Sequence, residues 1–367
     1  MRTLILIKNI FIILFHKEVD FVFYSENSHY KKYYSLIIEG LLKKDKTILY
    51  LSSDSKDEVG DKRVKNFYIG SGYARYFIFL IIKAKIMILT LTDIGNHELK
   101  KNSYIKKYIY LFHAVNSAHR AFTQSAFNNY DTILCIGEYQ KKEIRELEIL
   151  NNSKKKNLLN TGYIYFDYLD KKCDRGLSEN FILIAPSWNY NEKSFFNLQS
   201  KKIISYLLSL KYKVILRPHP EHYKREVKLI KDFETLSKSE NNFILDKRES
   251  NIFSMNKSDV LITDCSGIAP EFLFTYKRPV IYFDKYTKIH NLGFKKIDLP
   301  VFEDQVKNKF GFVPKDQENF TKNFIEEARE NFLNNNIGEV NKFAEVNFYN
   351  FQKSQDTYIK LLIEQLN

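Results

Sequence analysis

Apolar and polar stretches alternate in a repeating order along the first half of the chain. Short runs rich in Val, Ile and aromatic residues, such as "DFVFYS" from Asp20, end in polar residues. They are separated by stretches with apolar residues at helical spacing, such as "YYSLIIEGLLKKD" from Tyr33. The order continues through "KTILYLSSDS", "KNFYIGSG", "AKIMILTLTD", "KYIYLFHA" and "DTILCIGE". Strands that alternate with helix-length segments indicate βαβ units and a parallel sheet.

A polar stretch at 171–180 interrupts this order, which then starts again. The strand patterns of the second half are "FILIAPSWN", "KVILRPHP", "NFILD", "DVLITDCSG" and "RPVIYFD". We therefore predict an α/β protein with two Rossmann-like parallel-sheet domains, at 1–170 and 181–345. The stretch 171–180 is the predicted linker, and 346–367 is a predicted C-terminal helix.

The N-terminal sixteen residues contain two short apolar runs that Lys8 and Asn9 separate. Each run is too short for the ~20 apolar residues that cross a bilayer. No small-residue cleavage site follows, so a secretory signal is not expected. Two interpretations stay open: residues 1–16 lie on an anionic membrane surface as an interfacial helix, or they dock on the first domain.

Composition narrows the class of protein. A 44% hydrophobic and 15% aromatic content fills sizeable cores, and the formal charge of +13 favours anionic partners. Lys, Asn, Ile, Phe and Tyr are enriched together, as in AT-rich genomes, which weakens the charge as a functional signal. The chain has no recognised nucleic-acid-binding module, so no nucleic-acid partner is expected.

Cysteine and carboxylate patterns give little sign of metal chemistry. The three cysteines form no CxxC pair, and no D-x-D sequence occurs in the chain. We expect no disulfide framework, no metal and no cofactor, and a reducing, cytoplasmic location. The protein is expected to lie peripherally on the inner face of the cell membrane if residues 1–16 bind lipid.

Several histidines lie where ligands bind in parallel sheets, at or just after the carboxyl ends of the predicted strands. They are His29, His97, His113 and His219, with His119 close by. In "VILRPHP", a strand ends in Arg217 and His219 beside two prolines. The strand tip either faces water or presents both side chains to an anionic ligand.

A second strand end, "TDCSGIAPE", leads into a predicted helix that begins near Ile268. Proline is tolerated in a first helical turn, and the positive end of the helix suits a phosphate. Ser266 would add a hydroxyl, and Gly267 would allow close backbone approach. The alternative is that Ser266 is an ordinary helix cap.

The order of these motifs resembles the CDP-glycerol glycerophosphotransferase family, the teichoic-acid primases and polymerases of GT-B fold. The second half carries "APSW" at Ala185–Trp188, "RPHP" at Arg217–Pro220 and "TDCSG" at Thr263–Gly267. The first half is similar to a capsule-type branch through "FYSENSHY", "TLTDIGNHELK" and "YLFHAVNSAH". The resemblance covers about Asp20 to Asp284. It implies a GT-B-like fold with two domains that face a central cleft.

The resemblance also implies an activity and site residues. The activity is transfer of glycerol phosphate, or a related polyol phosphate, from a CDP-linked donor to a hydroxyl of a polysaccharide or lipid-linked acceptor. The implied catalytic residues are His113, as base in the acceptor-side first domain, and His219 in the donor domain. The implied donor and phosphate ligands are Arg217, Ser187, Trp188, Asp264, Ser266, Gly267 and Glu271. The implied acceptor-side residues are Asp93, Asn116, Ser117 and His119.

The chain departs from the family pattern at three places. Gly267 stands where the family has a second serine, "HAVNS" stands where it has "HG-P", and Glu271 replaces an aspartate. Two other functions stay open. One is a GT-B glycosyltransferase that uses a CMP- or UDP-sugar, such as Kdo or a hexose, for capsule or lipopolysaccharide. The other is a non-catalytic subunit of a polysaccharide assembly complex.

Overall fold

A computed structural model describes residues 2–367 except 96–98, 175, 177, 189–194, 284–287 and 317. The chain divides into two compact units. Unit 1 comprises Met1–Tyr168, His290–Leu299 and Asn347–Asn367, and unit 2 comprises Leu169–Ile289 and Pro300–Val346.

Unit 1 contains a parallel sheet of seven strands within the described residues, in the order β3-β2-β1-β4-β5-β6-β7. Its strands are β1 Val19–Ser25, β2 Ile48–Ser52, β3 Lys65–Tyr68, β4 Ala84–Leu89, β5 Ile105–Leu111, β6 Thr132–Cys135 and β7 Asn157–Asn160. Its helices are α1 Arg2–Phe15, α2 Lys31–Leu42, α3 Tyr73–Ile81, α4 Ala118–Ala121, α5 Glu138–Leu150 and α6 Ile164–Lys172. Short 3₁₀ turns lie at Ser28–Tyr30 and Phe294–Lys296.

The central strands of unit 1 are buried along most of their length, as expected for a parallel sheet covered by helices on both faces. The last helix, which we call α15, spans Gln355–Glu364 and packs on α2. A Cβ at Gly40 would lie 2.6 Å from the side chain of Ile359, so glycine permits this close approach. Asp167 secures the same segment by accepting hydrogen bonds from the Ser354 hydroxyl and the Gln355 N–H, both at 2.8 Å.

Unit 2 contains a parallel sheet of six strands within the described residues, in the order β10-β9-β8-β11-β12-β13. Its strands are β8 Phe181–Ile184, β9 Lys213–Leu216, β10 Phe243–Leu245, β11 Ser258–Thr263, β12 Val280–Tyr282 and β13 Gly311–Phe312. Its helices are α7 Leu198–Ser209, α8 Pro220–Arg225, α9 Val227–Ser239, α10 Ile252–Lys257, α11 Ile268–Tyr276, α12 Phe302–Phe310, α13 Lys322–Asn335 and α14 Ile337–Asn347.

The core of unit 2 lies between this sheet and its helices. Strand residues such as Ile182, Val214 and Ile262 are inaccessible to water and pack with Ile203 and Phe233 from α7 and α9. Because the three strands are apolar on both faces, their carboxyl ends are held in register. The residues that follow them therefore occupy fixed positions.

The predicted fold class, two Rossmann-like parallel-sheet domains, is confirmed. Two short edge strands, β7 and β13, were not predicted from the sequence. Two later segments, His290–Leu299 and Asn347–Asn367, also belong to unit 1. Each follows a segment of unit 2 in the chain. The two apolar runs at the N-terminus form one helix, α1.

Candidate functional site

The strand order places a topological switch point in unit 2 between β8 and β11. From β8 the chain adds β9 and β10 on one side, and then returns to add β11, β12 and β13 on the other. Ligands in open α/β sheets bind outside the carboxyl ends of the strands at such a point. The three motifs of the second half follow β8, β9 and β11, so they meet at this edge.

Ser187 and Asp264 join the ends of the two strands at the switch point. The Asp264 carboxylate accepts hydrogen bonds from the backbone N–H and the hydroxyl of Ser187, both at 2.9 Å. Burial raises the pKa of Asp264, and the two hydrogen bonds from Ser187 oppose that shift. Asp264 is buried and therefore fixes the loop after β8, while the neighbouring Ser266 is half-buried.

His219 lies at the N-cap of α8, directly after β9. Its Nδ1 accepts the backbone N–H of Glu221 at 3.2 Å, so a neutral ring carries its proton on Nε2. The His219 N–H in turn donates to Nδ1 of His222 at 3.1 Å. His222 is fully buried and stacks on Phe196 with ring centroids 4.2 Å apart. The backbone and the ring of His219 are therefore both held in place.

Desolvation keeps both histidines neutral at pH 7. Loss of water around the ring lowers the pKa of His219 to about 4, and the charge of Lys288 acts in the same direction. The residue as a whole remains exposed at the strand tip, although its ring packs beside that of His222, with centroids 6.2 Å apart. Burial lowers the pKa of His222 to about 3, with a smaller effect from His219. His219 is thus a neutral hydrogen-bond donor through Nε2.

Trp188 adds an aromatic surface beside these groups. Its ring lies edge-on to His222, with centroids 5.7 Å apart, and the Arg225 guanidinium lies 4.9 Å from its centre. Trp188 is half-buried and is the one tryptophan of the chain. His222 therefore links the β8 end, through Trp188, to the β9 end, through His219.

Arg217 and Glu271 each form hydrogen bonds with polar groups of unit 2. The Arg217 guanidinium donates to the Asp246 carboxylate at 2.8 Å and to the Glu249 carbonyl at 2.9 Å. Glu271 is buried and accepts a hydrogen bond from the Asn251 amide at 3.2 Å. Both side chains thus support the loops around the strand ends.

The start of α11 is the next candidate for phosphate binding in unit 2. Its N-cap residue is Gly267, which has no side chain that could hydrogen-bond the N–H groups of the first turn. Ser266 directly precedes this N-cap residue. Gly267 has φ −61° and ψ −15°, a right-handed conformation that other residues also adopt.

In unit 1, His113 follows β5 and lies among tyrosines. Its ring centroid is 5.3 Å from Tyr30, in an edge-to-face arrangement, and 6.0 Å from Tyr33. The His113 carbonyl accepts a hydrogen bond from the Tyr163 hydroxyl at 3.1 Å. His113 is half-buried, so part of it reaches solvent.

The other acceptor-side candidates differ in accessibility. Asp93 is exposed and accepts hydrogen bonds from Thr92 at 3.1 Å and Thr123 at 3.3 Å. Ser117 and His119 are fully buried, and His119 Nδ1 lies 3.1 Å from the Glu143 carboxylate. Asn116 is half-buried, and its Oδ1 is shielded from water with no hydrogen-bond partner among the described residues.

Some expectations fall outside what the structure describes. His97 lies in the segment 96–98 and is not among the described residues.

Within the described residues, no group of three or more His, Cys, Asp or Glu side chains is arranged to hold a metal ion. No helix in the same part of the chain is long and apolar enough to cross a membrane.

Two residues at these sites were missed from the sequence. His222 follows His219 by three positions in "HPEH", a spacing that places both in the first turn of a helix. Tyr30 ends the motif "SENSHY", which was noted for its family resemblance but not for a ring beside His113. The three-residue spacing from His219 could have pointed to His222. The contact of Tyr30 with His113 could not be predicted in this way, because it depends on the order of the strands in the sheet.

Residues 7–347 match the model of the family "CDP-Glycerol:Poly(glycerophosphate) glycerophosphotransferase". The chain belongs to this family. The family named from the three motifs is thus confirmed, over almost the whole chain. Family members are transferases by description, which agrees with the predicted enzyme class.

A curated relative is similar to part of this chain. The chain is 27% identical over 244 residues to the minor teichoic acid biosynthesis protein GgaB of Bacillus subtilis (strain 168). That match covers 60% of this chain and 25% of the relative, so this family member aligns with about a quarter of GgaB.

The fold is similar to those of nucleotide-sugar enzymes. UDP-GlcNAc 2-epimerase from Methanocaldococcus jannaschii, in complex with UDP-GlcNAc and UDP, has a TM-score of 0.57 at 13% identity, covering 95% of this chain and 100% of that one. UDP-glucose:anthocyanidin 3-O-glucosyltransferase, in complex with UDP, has a TM-score of 0.55 at 8% identity, covering 96% and 99%. At these identities the likeness establishes the GT-B-like fold alone.

Proposed function

We propose that the protein transfers glycerol phosphate, or a related polyol phosphate, from a CDP-linked donor to an acceptor hydroxyl during synthesis of a cell-surface polymer. Family membership supports the reaction class. The observation that carries the proposal is the unit 2 switch point, where Ser187, His219 and the start of α11 follow adjacent strands.

These groups suit a diphosphate. The acceptor oxygen bonds to the phosphorus that bears the glycerol, and the bond from that phosphorus to the bridging oxygen breaks, so CMP leaves with the added negative charge. We assign His219 Nε2–H, the Ser266 hydroxyl and the N-terminus of α11 to the donor's phosphate oxygens. Donors placed where charge develops stabilise a transition state strongly, because they need no reorganisation. Trp188 offers its ring to the cytosine base.

We assign His113 as the base that accepts the proton of the acceptor hydroxyl. An imidazole has a pKa near neutrality and suits proton transfer at physiological pH. His113 is held by its backbone bond to Tyr163 and remains partly accessible. The acceptor is proposed to be a polysaccharide or lipid-linked chain that ends in a polyol or sugar hydroxyl.

We further propose that α1 attaches the protein peripherally to the inner face of an anionic membrane. One side of the helix packs on unit 1 through the fully buried Ile13 and through Asn9, which donates to the Tyr68 carbonyl at 2.9 Å. The other side exposes Leu4, Phe11 and Phe15 by 64–75%. The neighbouring α3 adds the exposed residues Tyr73 and Phe77.

Charge supports lipid as the occupant of this apolar face. The described part of α1 has no acidic residue, and Lys8 is exposed on it. Lys65 and Lys83 lie close enough to its C-terminal end to lower the pKa of His16, although burial is the larger cause. Basic residues beside an apolar face add about 1 kcal/mol each near anionic lipid.

Donor binding tests the proposed substrate class. Because Trp188 is the only tryptophan, its fluorescence reports on the β8 end directly. CDP-glycerol and CDP are expected to change the emission at concentrations at which UDP-sugars do not. A response to UDP-sugars or CMP-sugars alone would instead support a glycosyltransferase.

A further inference from the structure

Unit 1 has its own topological switch point, between β1 and β4. The chain runs from β1 to β2 and β3 on one side, and then returns to add β4, β5, β6 and β7 on the other. The segment after β1 carries the 3₁₀ turn Ser28–Tyr30, and the segment after β5 carries His113. β1 borders the switch point, and β5 lies next to β4 on its other side, so the two carboxyl ends lie on either side of the switch point. A ligand of unit 1 is expected at this edge.

Aromatic rings surround His113 at this edge. Tyr30 meets it edge-to-face at 5.3 Å, and the His29 ring lies 5.8 Å from Tyr30. His29, Tyr30 and His113 are half-buried, whereas Tyr33 beneath them is buried. We call His29, Tyr30 and His113 the aromatic platform. The three rings are both packed and accessible, which is typical of residues that contact a ligand.

The turn that carries Tyr30 is fixed in position. The Ser25 hydroxyl donates to the Asn27 carbonyl at 2.6 Å, and the Asn27 side chain accepts the His29 N–H at 3.0 Å. The ammonium of Lys32 lies over the rings of Tyr33 and Tyr165, 4.9 and 4.5 Å from their centroids. The platform is therefore part of the rigid edge of unit 1 and has a positive charge close by.

We propose that the aromatic platform binds the sugar or polyol unit of the acceptor that carries the attacking hydroxyl. The C–H groups of such a unit pack on aromatic faces, while its hydroxyls hydrogen-bond to neighbouring polar atoms. Asn116 Oδ1, three residues after His113, is shielded from water and accepts no hydrogen bond among the described residues.

This inference rests on the proposed function, because it gives His113 an acceptor hydroxyl to deprotonate. Tyr30 becomes the residue that orients the acceptor beside the base. Binding energy from an unreactive part of a substrate positions its reacting group, and a small misplacement costs rate. Tyr30 has no proton-transfer role in this scheme, so its ring matters and its hydroxyl does not.

Tyr30→Ala and Tyr30→Phe separate these properties, and Tyr104→Ala is the matched control. Tyr104 is an exposed tyrosine that directly precedes β5, at the opposite edge of the same sheet from His113. The probe is a synthetic glycerol-phosphate trimer with a free terminal hydroxyl. Its binding is measured by saturation-transfer NMR on the full chain, and its KM by CMP release from CDP-glycerol.

We expect Tyr30→Ala to weaken trimer binding and to raise the trimer KM about tenfold, with the donor KM changed by less than twofold. Tyr30→Phe and Tyr104→Ala are expected to stay within twofold of wild type. Unchanged trimer binding in Tyr30→Ala, or no trimer binding to the wild type, would overturn the platform. If neither the wild type nor any variant transfers glycerol phosphate, but Tyr30→Ala still loses trimer binding, the proposed function fails and the platform stands.

Discussion

His219 is the residue that we expect to matter most in the proposed donor site. Its Nδ1 is engaged by the Glu221 N–H, so only Nε2 is available to a ligand, and as a donor. An asparagine at this position keeps an acceptor near Nδ1 but has no group at Nε2. A glutamine keeps an amide N–H₂ near Nε2. The two variants therefore separate the role of the cap from the role of the ligand contact.

We predict that His219→Asn folds normally and loses about 100-fold in kcat/KM, as expected for loss of a charge-stabilising donor. His219→Gln is predicted to retain more activity than His219→Asn. Steady-state CMP release and thermal unfolding of both variants provide the measurement. Equal loss in both, together with a lower Tm, would mean that His219 acts only through the helix cap.

Ser266 and Gly267 give a paired test of the start of α11. Ser266→Ala is predicted to weaken donor binding about tenfold, since a hydrogen bond to a charged group contributes ~1.5 kcal/mol or more. Gly267→Ser is predicted to tighten it several-fold, because φ −61° accepts a serine and the new hydroxyl adds a donor. Both are measured by Trp188 fluorescence titration. Equal donor affinity in all three proteins would remove this helix start from the donor site.

His222 makes the stability of the protein depend on pH. Its folded pKa of about 3 lies below the unfolded value near 6.5, so the unfolded chain takes up the proton first as pH falls. The contribution of His222 to stability is therefore expected to be complete above about pH 6.5 and to fall progressively towards pH 3. His222→Asn keeps an acceptor for the His219 N–H but does not titrate. We predict a smaller fall in its Tm between pH 6.5 and 4.5; an identical fall would show that other groups control this range.

At the scale of elements, α1 has two faces with different predicted roles. Ile13→Ala removes a fully buried side chain and is predicted to cost ~2–4 kcal/mol of stability without affecting lipid binding.

The triple variant Leu4→Ser, Phe11→Ser, Phe15→Ser is predicted to keep its Tm and to lose sedimentation with vesicles that contain anionic lipid. Wild-type binding should weaken in 1 M salt, where the Debye length is ~3 Å. Vesicle binding that survives in the triple variant would end the membrane proposal.

The sequence predicts long buried strands better than short edge strands. Long apolar runs such as β1, β4 and β11 were predicted because a buried parallel strand needs continuous Val, Ile and aromatic residues. The edge strands β7 and β13 are two to four residues long and are not fully buried, so they have no such signal. The segment that contains α15 returns to unit 1 through contacts with distant residues, such as the close approach of Ile359 to Gly40, which no local pattern encodes.

Part of the candidate site could also be predicted from the sequence. Strand-end residues such as His219 and Ser187 could be placed because motifs after parallel strands share one edge. Partners from distant segments could not be placed, because only the folded sheet brings them together. Arg217 pairs with Asp246, 29 residues later, and His119 is buried against Glu143.

At the scale of the whole molecule, a donor site built from neutral His219, hydroxyls and a helix N-terminus predicts activity without added metal. The sequence also has no D-x-D pair of the kind that holds a metal–diphosphate. We predict that CMP release persists in excess EDTA at half the untreated rate or more. Complete loss that Mg²⁺ or Mn²⁺ restores would mean that an ion, and not these groups, neutralises the diphosphate.

Mass analysis of the acceptor product distinguishes glycerol-phosphate transfer from sugar transfer. The purified full chain is incubated with CDP-glycerol and the glycerol-phosphate trimer, and CMP and the extended trimer are quantified together. We expect one added glycerol phosphate for each CMP released, with both products reduced about 100-fold in His219→Asn. An unextended acceptor and no CMP, in a preparation that transfers a sugar from a UDP- or CMP-sugar, would contradict it.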